Sequence, residues 1–375
     1  MERRQKQNQE QEQQGLQGEK VYLNFINSLH SKATIKVYRV LIIHYIRFMN
    51  IKSNNISSLL NQDHRIIEEQ IISYLVYLRT DQKLSYSSLA LRLAAIRKFY
   101  EMNDVMLNWK KVSNYLGENT KLFKDRAYIT EEIQRLLTKA DERMRVIILL
   151  LASTGMRIGA IPGLNLKHLT KVEDYNLYQI TVYENTKDEY YCFCSPECAN
   201  AIDSYIAYRE RCYEKIGPES PLIREQFDRD NPDKARNPRL LSLDTPNALI
   251  RELLIVAGIR SIEHLTETQT TSGRLRKEVK ASHGFRKFAT TNMIRAKVNP
   301  EAREMLLGHS IGLSDSYYRP DANEILQEYL KAVDLLTINE ENRLRRQIES
   351  QHIEHTVEWE QIRKMVDEIR ERMGL

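Results

Sequence analysis

Nothing in this 375-residue chain approaches the run of about 20 apolar residues needed to cross a bilayer. Its most apolar stretch, 147–152, has the length of a buried helix segment. The head, MERRQKQNQEQEQQGLQGEK, holds no apolar block. Neither a signal peptide nor a membrane anchor is therefore expected, and residues 1–19 are expected to be disordered. Cysteine is scarce: Cys192, Cys194, Cys198 and Cys212 are bunched together, with no pattern of a secreted disulfide framework. A cytoplasmic location is the expectation that follows. No CxxC pair is present, and Cys192 and Cys194 alternate as a strand would place them, with Cys198 at a helix start. That pattern favours structural cysteines over a zinc site.

Charge is unevenly spread. Residues 321–375 carry thirteen acids against eight bases, while the whole chain is +5, which leaves residues 1–320 at about +10. A basic body with an acidic tail suits a polyanionic partner. The densest basic stretch is 271–303, with nine Lys/Arg against two Glu.

After the head, 20–116 shows helical periodicity and no strand signal. Tyr22, Phe25, Ile26 and Leu29 mark a first helix. Val37, Tyr38, Leu41, Tyr45 and Phe48 mark a second, with Ser31 or Thr34 as its cap. Ile67, Ile71, Tyr74, Leu75 and Leu78 mark a third, and a fourth starts at Ser85 or Ser87. This is a compact all-helical domain. Its clusters Lys32, Lys36, Arg39 and Arg92, Arg97, Lys98 are candidate phosphate contacts. The polar, basic stretch 117–128 reads as a linker.

A second domain, 129–320, opens at Thr130, a candidate helix cap, and continues with a nearly all-apolar helix over 144–152. Residues 177–183 and 189–193 alternate and flank a hairpin turn, Glu184-Asn185-Thr186-Lys187-Asp188. Ser195-Pro196-Glu197 then has the signature of a helix start. Beyond Pro320 the tail, 321–375, reads as helical to its end. Ile348, His352, His355, Trp359, Ile362, Val366, Ile369 and Met373 lie at spacings of four and three, a face for self-docking or for a second copy. The fold class expected is mainly α with a small antiparallel β element.

Four fragments of the second domain carry chemistry. Arg157 lies in TGMRIG, Lys187 at the hairpin tip, and His283 and Arg286 in H-G-F-R. His309 and two tyrosines lie in LGHSIGLSDSYY. Separately each has an ordinary structural explanation. In this order they resemble the tyrosine recombinase, or phage integrase, family of site-specific DNA recombinases. The resemblance covers 21–320, and SHGFRKFATTNMIRAKVNPEAREMLLGHS follows the family pattern almost without gaps.

The resemblance implies a helical DNA-binding domain and an α+β catalytic domain enclosing duplex DNA, with four protomers acting on two sites. Arg157 and Arg286 would hold the scissile phosphate, since guanidiniums bind its oxygens bidentately and stay charged. Lys187 would protonate the leaving 5′ oxygen, and His283 and His309 would donate to the phosphate or take the nucleophile's proton. The nucleophile implied is Tyr318, nine residues after His309, with Tyr317 as second choice. A covalent 3′-phosphotyrosyl link conserves bond energy for religation. No acidic cluster suited to a divalent metal is visible near these fragments, so neither metal nor other cofactor is expected, nor a small-molecule substrate.

Two departures stand out. Ala160 occupies a position, three after Arg157, where the family often has an acid. Lys287 follows H-x-x-R where His is frequent, adding charge near DNA. The head and long tail tilt the expected role toward integration or excision of a mobile element. Rival roles are chromosome-dimer resolution, type IB topoisomerase-like relaxation, and a non-catalytic DNA-binding accessory protein.

Overall fold

The computed structural model describes residues 20–52, 55–119, 125–227, 231–260, 279–312 and 320–345, with Ile348, Trp359, Arg363 and Met365. The chain divides into two compact units. One is formed by residues through Lys124 together with Thr266–Arg276, the other by Asp125–Leu265 and Lys277–Leu375.

The described part of the first unit is helical. Its α-helices are α1 (Lys20–Asn27), α2 (Lys32–Phe48), α3 (His64–Thr80), α4 (Tyr86–Glu101) and the short α5 (Trp109–Ser113). Apolar residues at helical spacing converge on one core of Phe25, Ile42, Tyr45, Ile71, Leu75, Ile96 and Phe99. Each such buried side chain contributes about 2 kcal/mol. Tyr45 and Tyr100 share a hydrogen bond of 3.0 Å inside it. Ser31 and Ser85 do precede α2 and α4, but neither side chain makes a cap bond. The working caps are Asp63, which accepts from Arg65 N at 2.8 Å at the start of α3, and Asn108, which accepts from Lys111 N at 3.0 Å at the start of α5.

The second unit places a small sheet among helices. Helix α6 (Thr130–Lys139) starts one residue earlier than a Thr130 cap would place it. Glu132 reaches back to Ile129 N at 3.1 Å and pairs with Arg126, whose Nη1 lies 2.8 Å from Glu132 Oε2. Helix α7 (Glu142–Thr154) is buried without interruption from Val146 to Thr154 and forms the centre of the unit. It ends at Gly155 with φ +66°, where a Cβ would meet Leu307 at 2.8 Å and Ala289 at 3.0 Å.

Three antiparallel strands follow in the order β1 (Leu169–Val172), β2 (Leu177–Val182), β3 (Tyr190–Phe193), with Val182 opposite Tyr190. Strand β1 is absent from the sequence expectation; it is a part-exposed edge strand containing Lys171, so it lacks the apolar alternation that marks the other two. Ser195 caps α8 (Pro196–Arg211), accepting from Cys198 N at 3.3 Å. Just beyond, Glu214 lies fully buried between Arg209 and Arg224. The two guanidiniums also bind the carbonyls of Pro221, Leu222, Lys234 and Ala235 and so fix the intervening loop.

Helices α9 (Pro232–Arg236), α10 (Thr245–Val256), α11 (His283–Arg295) and α12 (Pro300–Leu306) complete the middle of this unit. After Pro320 come α13 (Ala322–Leu330) and α14 (Val333–Leu336), whose Ile325, Tyr329, Val333 and Leu336 belong to the same core as α7. The tail is therefore not one continuous helix. Thr337, Ile338 and Asn339 are non-helical before helix resumes at 340–345. Glu197 accepts from Ile338 N at 2.8 Å and Asn339 N at 3.3 Å, and Gln134 donates to Ile338 O at 3.0 Å. Those tertiary bonds compete successfully with the local helix. Of the apolar face expected further on, Ile348 and Trp359 are described and exposed, whereas His352, His355, Ile362, Val366, Ile369 and Met373 lie outside the described residues.

Candidate active site

The turn after α7, the hairpin and the end of α12 meet in a cleft of about 1200 Å³ in the second unit. Arg157, Lys187, Glu304, His309, Tyr183 and Tyr190 are among its lining residues.

Arg286 is the best-anchored cation. It lies in the first turn of α11 and is 7% exposed. Nη1 donates to Gly155 O at 2.8 Å, and Nη2 to Leu307 O at 2.7 Å and to His309 Nε2 at 2.6 Å. Burial, and after it the neighbouring Arg157, lowers its pKa, but a guanidinium stays charged at neutral pH. Arg157, exposed, donates from Nη1 to Gly308 O at 3.1 Å. The two arginines thus hold successive carbonyls of one chain corner. That corner needs glycine: Gly308 has φ +65°, and a Cβ there would run into the Tyr190 ring.

A guanidinium has no lone pair, so the Arg286 contact makes His309 Nε2 an acceptor and puts the ring proton on Nδ1. Nδ1 donates to Glu304 Oε2 at 2.6 Å. Burial opposes ionisation of Glu304, yet the bonds from His309 and Arg303 leave its pKa lowered. Glu304 was not among the sequence candidates. It precedes His309 by five residues across a helix end, a spacing with no motif to flag it. Ala160, where an acid was looked for, is buried in the core; the carboxylate beside this site comes from α12 instead.

Lys187 is exposed at the hairpin tip. His283 opens α11; partial burial, then Lys280 and Lys287, holds its imidazole below the ordinary value, and Arg286 adds to this. Neither His283 nor Arg286 is among the residues lining the cleft; Arg286 lies behind His309 and Gly308, which are. Tyr317 and Tyr318 lie outside the described residues.

The candidate DNA contacts differ in how free they are. Lys32 and Lys36 are exposed, and Arg39 and Lys98 half-buried. Arg97 pairs with Glu101 at 2.6 Å and lies over the Trp109 ring. Arg92 donates to Ser88 O at 3.2 Å and, with His44 and Arg47, lines a second cavity in the first unit. Lys287 is held by Asp125, with Nζ 2.8 Å from Oδ1 and 2.6 Å from the carbonyl. Its ammonium is committed to that carboxylate, which Lys280 shares at 3.4 Å.

The described helices include none long and apolar enough to cross a membrane.

With a helical first unit and a second in which two arginines and a histidine share one corner, the chain has the build of a DNA strand transferase. The phage integrase family matches residues 128–324, and the N-terminal SAM-like domain of phage integrases matches residues 22–103. The chain belongs to the phage integrase family; it is a tyrosine recombinase, a site-specific DNA strand transferase. Two solved structures share the fold. The Tn1549 transposon integrase in complex with circular intermediate DNA is 15% identical with a TM-score of 0.51, covering 83% of this chain and 98% of its own. The XerH recombinase in its post-cleavage complex with palindromic difH substrate is 14% identical with a TM-score of 0.51, covering 78% of each chain. No curated protein matches the chain at a significant level.

Proposed function

We propose that this chain binds duplex DNA at a specific site and cleaves it with Tyr318, as the integrase of a mobile element. The observation that carries the assignment is the corner at Leu307–His309, where Arg157 and Arg286 converge beside His309. Two fixed guanidiniums at one point suit the charge that builds on phosphate oxygens during attack.

The Tyr318 oxygen attacks phosphorus, and the phenol proton passes to His283, whose lowered pKa keeps it neutral and able to accept at neutral pH. The bond from phosphorus to the 5′ oxygen breaks, and Lys187 supplies the proton that leaves with that oxygen. A 3′-phosphotyrosyl link remains. Religation is the reverse, with a new 5′-hydroxyl as nucleophile and the protons returned. His309 braces Arg286, and Glu304 braces His309. In our assignment the first unit binds DNA through Lys32, Lys36, Arg39, Arg92, Arg97 and Lys98, and four protomers act on two sites. The Gln-rich head and the long acidic tail support a mobile-element role over chromosome-dimer resolution.

The test starts from a pool of random-sequence duplexes nicked to trap cleavage, incubated with the protein in a chelator. Covalent protein–DNA adducts are recovered and sequenced, and the site is mapped to genomic DNA. Wild type and Tyr317→Phe form the adduct, whereas Tyr318→Phe does not. Loss in Tyr317→Phe alone transfers the role to Tyr317. No adduct from wild type overturns the assignment, and a site at the chromosome terminus overturns the mobile-element role.

A further inference from the structure

The hairpin that carries Lys187 is internally well built. Tyr183 and Asn185 are left-handed, with φ +58° and +60°. Thr186 N donates to Tyr183 O at 3.1 Å, Glu189 N to Thr186 O at 3.2 Å, and Asn185 N to Glu189 Oε2 at 2.5 Å. Every one of these bonds stays inside the hairpin. Among the described residues, the hydrogen bonds and ion pairs that tie 183–189 to the rest of the unit all run through Glu184. Its Oε2 accepts from Lys167 Nζ at 3.2 Å and from His168 Nε2 at 3.3 Å.

The receiving side is itself fixed. His168 is buried, and its Nδ1 accepts from Asn165 N at 2.9 Å, so Nε2 carries the proton and points it at Glu184. Lys167 N donates to Pro218 O at 2.8 Å and Leu166 N to Ser220 O at 3.0 Å, while Lys167 Nζ also reaches Glu219 at 3.2 Å. The segment follows directly from the 3-10 turn Ile158–Gly163 that begins after Arg157. One short stretch of chain therefore connects a proposed phosphate ligand to the anchor of the proposed acid.

We propose that Glu184 is a positioning residue, latched by His168 and Lys167, that holds the hairpin so that Lys187 meets the leaving 5′ oxygen. This rests on the assignment of Lys187 as general acid. An isolated exposed ion pair contributes little to stability. Proton delivery is a harsher criterion, because a displacement near 1 Å can cost about a hundredfold in rate.

The latch is tested on the site recovered above, made with an ordinary phosphodiester and with sulfur replacing the bridging 5′ oxygen at the scissile position. A 5′-thiolate leaves without a proton, since thiols are far stronger acids than alcohols, so it bypasses any defect in acid catalysis. On the oxygen substrate, Glu184→Ala is expected to cleave about tenfold more slowly at saturating DNA with unchanged affinity, and on the sulfur substrate to match wild type. Lys167→Met, which leaves the His168 bond, should show a smaller loss with the same rescue. Glu184→Ala combined with Lys187→Ala should be no slower than Lys187→Ala alone. Equal losses for Glu184→Ala on both substrates, with Lys187→Ala rescued, overturn the latch while sparing the general acid. If sulfur does not rescue Lys187→Ala, the general-acid assignment falls and the latch with it.

Discussion

Two of the site's cations, one behind the cleft and one on its rim, are held by opposite means. Arg286 is buried and bonded to two backbone carbonyls and a histidine, in a corner where Gly155 and Gly308 permit contacts that a Cβ would block. Lys187 stands exposed on a hairpin whose outward polar ties, among the described residues, run through one half-exposed carboxylate. The difference follows the work assigned to each. A ligand for developing charge gains from being immobile before the reaction. A proton donor that acts in both directions needs reach, with just enough restraint to arrive in place.

The comparison can be broken most severely on the buried side. Arg286→Ala should lower adduct formation by about 10³-fold or more, and Arg286→Lys should restore little, because one ammonium cannot span Gly155 O, Leu307 O and His309. Trapped adduct measured against time decides this, and activity near wild type in Arg286→Lys would refute the fixed-corner account. Next, Gly308→Ala should destabilise the protein by about 2 kcal/mol, through strain at positive φ and the collision with Tyr190. A lowered thermal midpoint is the readout, and an unchanged one would mean that the ring yields freely.

Glu304→Gln should slow cleavage by roughly tenfold, through loosening of the imidazole that braces Arg286. It should also flatten acid unfolding. Glu304 has a folded pKa below its ordinary 4.5, so its contribution to stability is present above that value and disappears as pH falls through the folded pKa. Wild type and variant should therefore converge in strongly acidic solution. Cleavage by wild type should hold down to about pH 6.5 and decline only below it, because His283 must stay neutral and its pKa lies under that value. A decline beginning well above pH 6.5 would assign the limiting proton to another group. The smallest effect is expected for Lys287→Ala. With its ammonium held by Asp125, DNA affinity should change less than twofold or so and the salt slope by well under one charge, whereas exposed Lys36→Ala should move the slope by about one.

What was legible in the sequence was local or periodic. The helices of the first unit followed from apolar spacing, the hairpin from alternation on either side of a turn, and α8 from Ser195 and Pro196. The order Arg157, Lys187, His283, Arg286, His309 pointed to the family because each residue type is demanded by one reaction. What escaped lacked such a signature. Strand β1 is polar and lies at an edge. The break at Thr337–Asn339 is imposed by Glu197, more than 130 residues away in sequence. Glu304 and Glu184 act through partners that no spacing rule connects to them, and their importance is visible only once Arg286 and His168 show which imidazole nitrogen bears the proton.

The fastening of Ile338 and Asn339 by Glu197 and Gln134 has a consequence for how such a protein can change. Because these bonds secure the root, whatever sequence follows Asn339 inherits a set starting point on the catalytic unit. A domain fused beyond that point would start from a fixed root and should leave α13 and α14 undisturbed, so this is where an engineer would splice.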